Sequence, residues 1–186
     1  LTAAIEKIPD LFERTWTCGG SVQIGEETIV CSGTHGEQNI GDAFANSCNV
    51  AMMDIGEKMG VSLFYKYQKD FGFGEKTGID LPGEGVSIFY TRDNFKELDL
   101  ATASFGQNFK ITPIQQIMAV ATVANGGYLV TPHLLKEVLD SEGNVVKTYE
   151  TAVRRQVIST ATARILATIL EEGVSGNGGA KNAYVA

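Results

Sequence analysis

The sequence predicts an α+β chain in which helices outnumber strands. Three observations carry this expectation. Apolar residues recur at helical spacing over residues 39–60, 62–72, 112–126 and 159–173. Residues 18–31 and 134–150 read instead as hairpins, each with turn residues near its centre. The composition, 44% hydrophobic and 20% charged over 186 residues, suits one compact domain with a core.

Taken in order, residues 1–8 form the tail of a helix, with Leu1, Ala4, Ile5 and Ile8 on one face and Pro9 ending it. In the first hairpin Val22 and Ile24 alternate, Gly25-Glu26-Glu27 turns, and Thr28, Ile29 and Val30 return. Residues 39–60 hold a short helix, a polar break at Ser47-Cys48-Asn49, and a second helix. Ala43, Phe44, Val50, Met53 and Met59 supply its apolar spacing. Read as local structure alone, Ser47 and Asn49 are helix caps, because their side-chain oxygens can accept from free backbone N–H groups. Ser62 caps a further helix whose stripe of Leu63, Phe64, Tyr67 and Phe71 is core, and Gly72 stops it.

Residues 71–84 are rich in glycine and proline and read as a loop, although they contain Lys76-Thr77-Gly78. Thr112, Pro113 and Gln115 compose a capping box with proline at the first helical position. Ile114, Ile117, Met118, Ala121 and Val123 then face a core, and Gly126-Gly127 closes the helix. The second hairpin turns at residues 140–144. Ser159 caps the last helix, whose Ile165, Leu166, Ile169 and Leu170 face inward and whose end is Gly173.

A net charge of −7 argues against nucleic acid as a partner, because phosphate binding needs clustered lysine and arginine. No apolar run approaches the roughly 18 residues of a membrane helix. Cys18, Cys31 and Cys48 are too few for a disulfide scaffold, and their spacing matches no zinc signature. His35 and His133 lie far apart and read as surface or loop residues, neither flanking a metal site. For the cysteines three states are open: Cys18 paired with Cys31 across the hairpin, Cys31 paired with Cys48, or three buried free thiols. A Cys31–Cys48 pair would pin the loop bearing Ser47 and Asn49 and act as a redox gate.

Several stretches together resemble the penicillin-binding protein transpeptidases. Ala-Asn-Ser-Cys-Asn-Val-Ala, followed by a helix ending at Gly60, resembles the Ser-x-Asn segment of that family. Ser-Phe-Gly-Gln-x-x-x-Ile-Thr-Pro-Ile-Gln, with Ala-Asn-Gly-Gly after it, is the second long match. The loop Gly-x-x-Thr-Gly-Ile-x-Leu-Pro-Gly-Glu at 74–84 is similar to a structural connection of the family, so Lys76 takes no catalytic role. The family has three active-site motifs: Ser-x-x-Lys with the nucleophile, Ser-x-Asn, and Lys-Thr-Gly on a strand across the cleft. The chain contains no Ser-x-x-Lys, and residues 175–186 resemble the glycine loop that leads to the strand bearing the true Lys-Thr-Gly.

The resemblance implies a partial transpeptidase domain over residues 1–186, of the monofunctional class B type, truncated at both ends. Its fold would be the mainly helical lobe of the transpeptidase and serine β-lactamase fold, with the central sheet incomplete. Helices meant to cover that sheet would expose apolar surface, so the piece would self-associate. Ser47 would relay a proton toward the leaving amine. Asn49 would hydrogen-bond the substrate amide and the catalytic lysine. Asp is common where this chain has Cys48, a departure that affects little because that residue points away from substrate. Ser104 and Gln107 would border the cleft. The parent would cross-link peptidoglycan stem peptides, react with β-lactams, and work with other cell-wall proteins on the outer face of the bacterial membrane, anchored by a segment elsewhere. The resemblance implies neither metal nor organic cofactor, and the piece alone would be inactive. The rival readings are a β-lactam sensor of the same fold and a non-enzymatic helical module. A serine β-lactamase fits less well, for want of a deacylating glutamate.

Overall fold

The computed structural model describes residues 1–175 and 179–183. A helix, α1 (Thr2–Lys7), precedes a strand, β1 (Trp16–Cys18), and a hairpin of β2 (Ser21–Ile24) and β3 (Glu27–Val30). A fourth strand, β4 (Gly36–Gln38), returns antiparallel to β1, with Cys18 opposite Gly36 and Trp16 opposite Gln38. Two helices follow, α2 (Ile40–Ala45) and the long α3 (Asn49–Asp70). Then come α4 (Glu97–Ser104), α5 (Pro113–Ala124), the strands β5 (Tyr128–Val130), β6 (Glu137–Leu139), β7 (Val145–Thr148) and β8 (Val153–Gln156), and finally α6 (Thr160–Ser175). Among the described residues the strands pair only two by two, β1 with β4, β2 with β3, β5 with β8 and β6 with β7. The class is α+β with helices dominant, as the sequence predicts.

The helix ends follow the capping chemistry. Asn39 accepts from the Asp42 N–H at 3.0 Å and starts α2. Thr112 and Gln115 form the reciprocal box that starts α5, and Ser159 accepts from the Thr162 N–H at 3.1 Å. Three expectations are corrected. Ser62 caps no helix: the helical backbone does break at Gly60, where φ is +71° and ψ 161°, and a second helical segment of α3 follows as expected, but the Ser62 hydroxyl accepts from Arg92 at 2.7 Å. Ile117 is 63% exposed, because Gln115 takes the inward position and Ile117 sits two residues, or about 200°, further round the helix. Ile165 likewise faces outward, while Leu166 and Ile169 carry the inner stripe of α6.

Two larger cores result. Tyr67, Val123, Ile158, Ala163, Leu166 and Ile169 pack where α3, α5 and α6 meet. Arg155 donates from Nε and Nη2 to the carbonyls of Asp70 and Lys69, completing the C-terminal end of α3. A further core lies under the β1–β4 and β2–β3 pairs, where Leu11, Trp16, Ile40 and Ile55 surround Cys18, Cys31 and Cys48. Gly56 lets α3 and α4 touch: a Cβ there would lie 1.8 Å from the Ser104 hydroxyl. Apolar side chains remain outside at Phe12, Leu134, Val86 and Ile88, consistent with the expected exposure of apolar surface.

Candidate functional site

The α2–α3 junction is built from its backbone. After Ala45 the chain must turn sharply, and the Ser47 and Cys48 N–H groups donate to the carbonyls of Phe44 and Ala43 at 3.0 and 2.9 Å. Making this turn puts Ser47 at φ +51°, in the left-handed region that a residue with a Cβ adopts only at a penalty. Cys48 is then the N-cap of α3, and it makes no side-chain cap bond. Neither Ser47 nor Asn49 caps the helix, so the local reading of the two residues is corrected. Ser47 is exposed, and its hydroxyl has no hydrogen-bond partner among the described residues. Asn49, at the first helical position, donates from Nδ2 to the Val30 carbonyl at 3.0 Å, which ties α3 to the hairpin.

Asn49 lines a groove of about 500 Å³ between β3 and the end of α4, with Val30, Thr102, Phe105, Gln107 and Asn108 among its walls. Gln107 thus shares a cavity with Asn49. Ser47 and Ser104 are not among its lining residues; Ser104 donates to the Leu100 carbonyl at 2.6 Å and packs under Gly56. One wall is held by a polar chain in which Tyr90 donates to Asn108, and Asn108 to Asp99, at 2.8 and 2.7 Å. Asn108 has φ +67° in this arrangement.

Lys76-Thr77-Gly78 lies in a loop, as expected. The Thr77 N–H and hydroxyl donate to one oxygen of Glu84, at 2.5 and 2.7 Å, and the Gly78 N–H to the other at 3.1 Å. Partial burial opposes the Glu84 carboxylate, but these donors outweigh it and its pKa falls below the ordinary value. Gln115, 2% exposed, closes the back of this loop: it accepts from the Ser87 hydroxyl and the Thr112 N–H, and donates to the Glu75 carbonyl.

Beneath Ser47 and Asn49 lies a group the sequence did not assemble. Cys18, Cys31 and Cys48 are all buried and free. Their sulfur atoms and a ring nitrogen of His35 all lie within 4.8 Å of one another. His35 is half-buried, with Nδ1 3.8 Å from the Cys31 sulfur. This corrects the reading of His35 as a loop residue remote from any metal site. The signal that could have found it is the local Cys31-x-x-x-His35 spacing, which the long gaps to Cys18 and Cys48 obscure. Cys31 lies opposite Gly20 rather than Cys18, so the hairpin does not juxtapose the first two cysteines by its register. Burial pushes the Cys48 thiol up to about 11. Burial also opposes ionisation of Cys31, but N–H groups of Asn49, Gly33 and Val50 prevail and bring it down to about 6.

The comparisons with known proteins agree on one family. The model of the penicillin binding protein transpeptidase domain matches residues 9–186. Stage V sporulation protein D of Bacillus subtilis is 42% identical over 154 residues, which are 82% of this chain and 24% of that protein. Peptidoglycan D,D-transpeptidase MrdA of Acinetobacter baumannii is 32% identical over 111 residues, 55% of this chain and 16% of that protein. Among solved structures, penicillin-binding protein 3 of Mycobacterium tuberculosis, complexed with aztreonam, superposes with a TM-score of 0.85 at 24% identity, covering 99% of this chain and 43% of that one. The D,D-transpeptidase domain of a peptidoglycan glycosyltransferase from Eggerthella lenta does so at 0.84 and 21%, covering 100% and 48%. The chain therefore spans about a quarter or less of these curated relatives and under half of these solved chains.

Proposed function

Because this chain belongs to the penicillin-binding protein transpeptidase family, we propose that it is an internal part of a peptidoglycan D,D-transpeptidase in which Ser47 and Asn49 serve the acyl-transfer site. The observation that carries this is the state of Ser47. It holds an unfavourable left-handed backbone, is exposed, caps nothing, and keeps a hydroxyl without a partner among the described residues. Strain of this kind persists where the surroundings over-determine it, and it concentrates at functional positions.

The chemistry assigns the rest. Acyl transfer needs a nucleophilic serine, a base, an oxyanion hole, and groups that orient the peptide and relay protons. The first two belong to a Ser-x-x-Lys motif that this sequence does not contain, so the nucleophile is supplied by parent sequence outside these 186 residues. The Ser47 hydroxyl both donates and accepts, and can pass a proton toward the leaving amine. The Asn49 carboxamide spends one N–H on Val30 and retains its oxygen and second N–H for a substrate amide. Stem peptides, and β-lactams that resemble them, are the ligands of the intact domain. Its place is the outer face of the bacterial membrane, among other cell-wall proteins, with the anchor outside this chain. Among the described residues no helix is long and apolar enough to cross a membrane.

A labelled penicillin tests both halves of the proposal. The 186-residue chain alone is expected to take up no label, and a labelled serine within it would overturn the assignment. In the intact parent, Asn49→Ala is expected to slow labelling about 10²-fold or more, the scale of a lost positioned donor. Unchanged labelling with loss of thermal stability would make Asn49 a tie between α3 and the hairpin and nothing more.

A further inference from the structure

We propose that Asn108 is a positioning residue for the acyl-transfer groove. It fixes the wall formed by Phe105, Gly106 and Gln107, and so sets how tightly the groove holds a stem peptide or a β-lactam. The inference rests on the acyl-transfer reading of Asn49 and adds a residue outside the Ser-x-Asn motif. Among the described residues, two non-glycine residues have a positive φ: Ser47 at +51° and Asn108 at +67°. Ser47 stands two residues before Asn49, which lines the groove, and Asn108 lines the same groove. Backbone strain concentrates where the surroundings over-determine a conformation, often at a functional position. Asparagine tolerates the left-handed region better than most residues with a Cβ, but glycine does so at lower cost. The side chain at 108 therefore needs a use of its own.

That use is visible in its bonds. Asn108 Oδ1 accepts from the Tyr90 hydroxyl at 2.8 Å, and Nδ2 donates to Asp99 Oδ1 at 2.7 Å. Asp99 Oδ2 in turn accepts from the Lys96 N–H at 3.0 Å, at the start of α4. Backbone bonds bracket the same residue. The Gly106 and Gln107 N–H groups donate to the carbonyls of Ala103 and Thr102, both at 3.0 Å, and fold the chain back at the end of α4. Two residues past Asn108, Lys110 exchanges both backbone bonds with Ile88 at 2.9 Å, and Tyr90 follows two residues after Ile88.

Asn108 thus ties the turn after α4 to two other places, the first turn of α4 through Asp99 and the 88–90 segment through Tyr90. The turn it holds carries Phe105 and Gln107, which line the groove with Asn49. The two side-chain bonds lie at the surface, where water competes for each donor and acceptor, so they add little to the stability of the whole chain. What they fix is the place of the wall. A loosened wall weakens contacts made equally in the bound state and the transition state, so affinity moves and the maximal rate does not.

The intact parent and a fluorescent penicillin test this, through the concentration that gives half-maximal acylation rate and the maximal rate itself. Asn108→Gly relieves the backbone at φ +67° and removes both bonds. It is expected to melt at the original temperature, to need about tenfold more penicillin for half-maximal rate, and to keep a maximal rate within about twofold. Asn108→Asp sets two carboxylates side by side, and Asp99→Asn leaves one oxygen for two donors; each should raise the half-saturating concentration similarly. The double variant Asp99→Asn with Asn108→Asp restores every bond with one direction reversed. The new amide at 99 donates to the new carboxylate at 108, and the Lys96 and Tyr90 donors keep an oxygen each. It should recover the original half-saturating concentration to within about twofold. The proposal is overturned by an unchanged half-saturating concentration in Asn108→Gly, by a rise there that comes only with a lowered melting temperature, or by a double variant as weak as the single ones. Asn49→Ala labelled at the original rate would strike this proposal together with the acyl-transfer reading. Labelling that depends on Asn49 while the Asn108 variants stay unmoved would strike this proposal alone.

Discussion

The two larger cores of this chain are held by different means. Where α3, α5 and α6 meet, the buried side chains are mostly large and apolar: Tyr67, Val123, Ile158, Leu166 and Ile169, with Phe44, Leu63 and Phe71 packed at the edge. Burial of such groups contributes about 1.5–3 kcal/mol each. Under the Ser47 loop, Leu11, Trp16, Ile40 and Ile55 share the core with the smaller Ala4, Ala43 and Ala51 and with Cys18, Cys31 and Cys48. Alanine buries little area, so this region depends more on directional contacts: Trp16 Nε1 to Asp54 at 2.8 Å, Asn49 to Val30, and the sulfur cluster. One region is stable because it excludes water. The other is placed, by a handful of specific bonds, where a functional loop needs to be. The Trp16 indole, the only tryptophan, sits in the second region and reports on it selectively.

The comparison can be broken at several points, beginning with the helical body. Gly127 has φ +104°, and a Cβ there would lie 2.1 Å from the Ile158 carbonyl oxygen, which the backbone cannot move aside. Gly127→Ala is expected to destabilise by about 4 kcal/mol, measured by urea unfolding. Leu166→Ala in the same body should remove about 3 kcal/mol through lost burial and a cavity. Gly56→Ala falls between the regions. Its methyl meets the Ser104 hydroxyl, which can rotate, and also the Ser104 Cβ at 2.8 Å, which cannot, so α3 and α4 must part slightly and about 2 kcal/mol is expected.

The smallest effect is a pH dependence. Glu6 accepts from the Ser159 N–H at 2.7 Å and from the Tyr67 hydroxyl. Burial opposes its charge, but these donors prevail and its pKa lies below the ordinary value. A carboxylate whose pKa is lower folded than unfolded contributes stability above the unfolded pKa, which is lost as pH falls through the folded one. Glu6→Gln should therefore flatten the decline in stability below about pH 4.5 and leave Trp16 fluorescence unchanged at neutral pH.

The same contrast governs what the sequence disclosed. The helical body is periodic and capped, and Thr112, Gln115, Ser159 and the stripe of Leu166 and Ile169 could be read directly. Its misreadings, Ile117 and Ile165, arise because several helix faces are apolar and periodicity alone does not say which one packs. The Ser47 region is not periodic. Cys18, Cys31, His35 and Cys48 are separated by gaps that carry no local pattern, and only the antiparallel return of β4 onto β1 brings them together. The motif around Ser47 was legible as a family pattern, while its lack of any capping role became visible only in the geometry.

The most direct test replaces Ser47 by glycine in the intact parent and measures two things at once. Glycine accepts φ +51° without the penalty of a Cβ, so the variant is expected to be at least as stable as the original. Having lost the hydroxyl, it is expected to react with a labelled penicillin about 10²–10⁴-fold more slowly, the range of a lost proton relay. A Ser47→Gly protein that is equally stable and is labelled at the original rate would contradict the account.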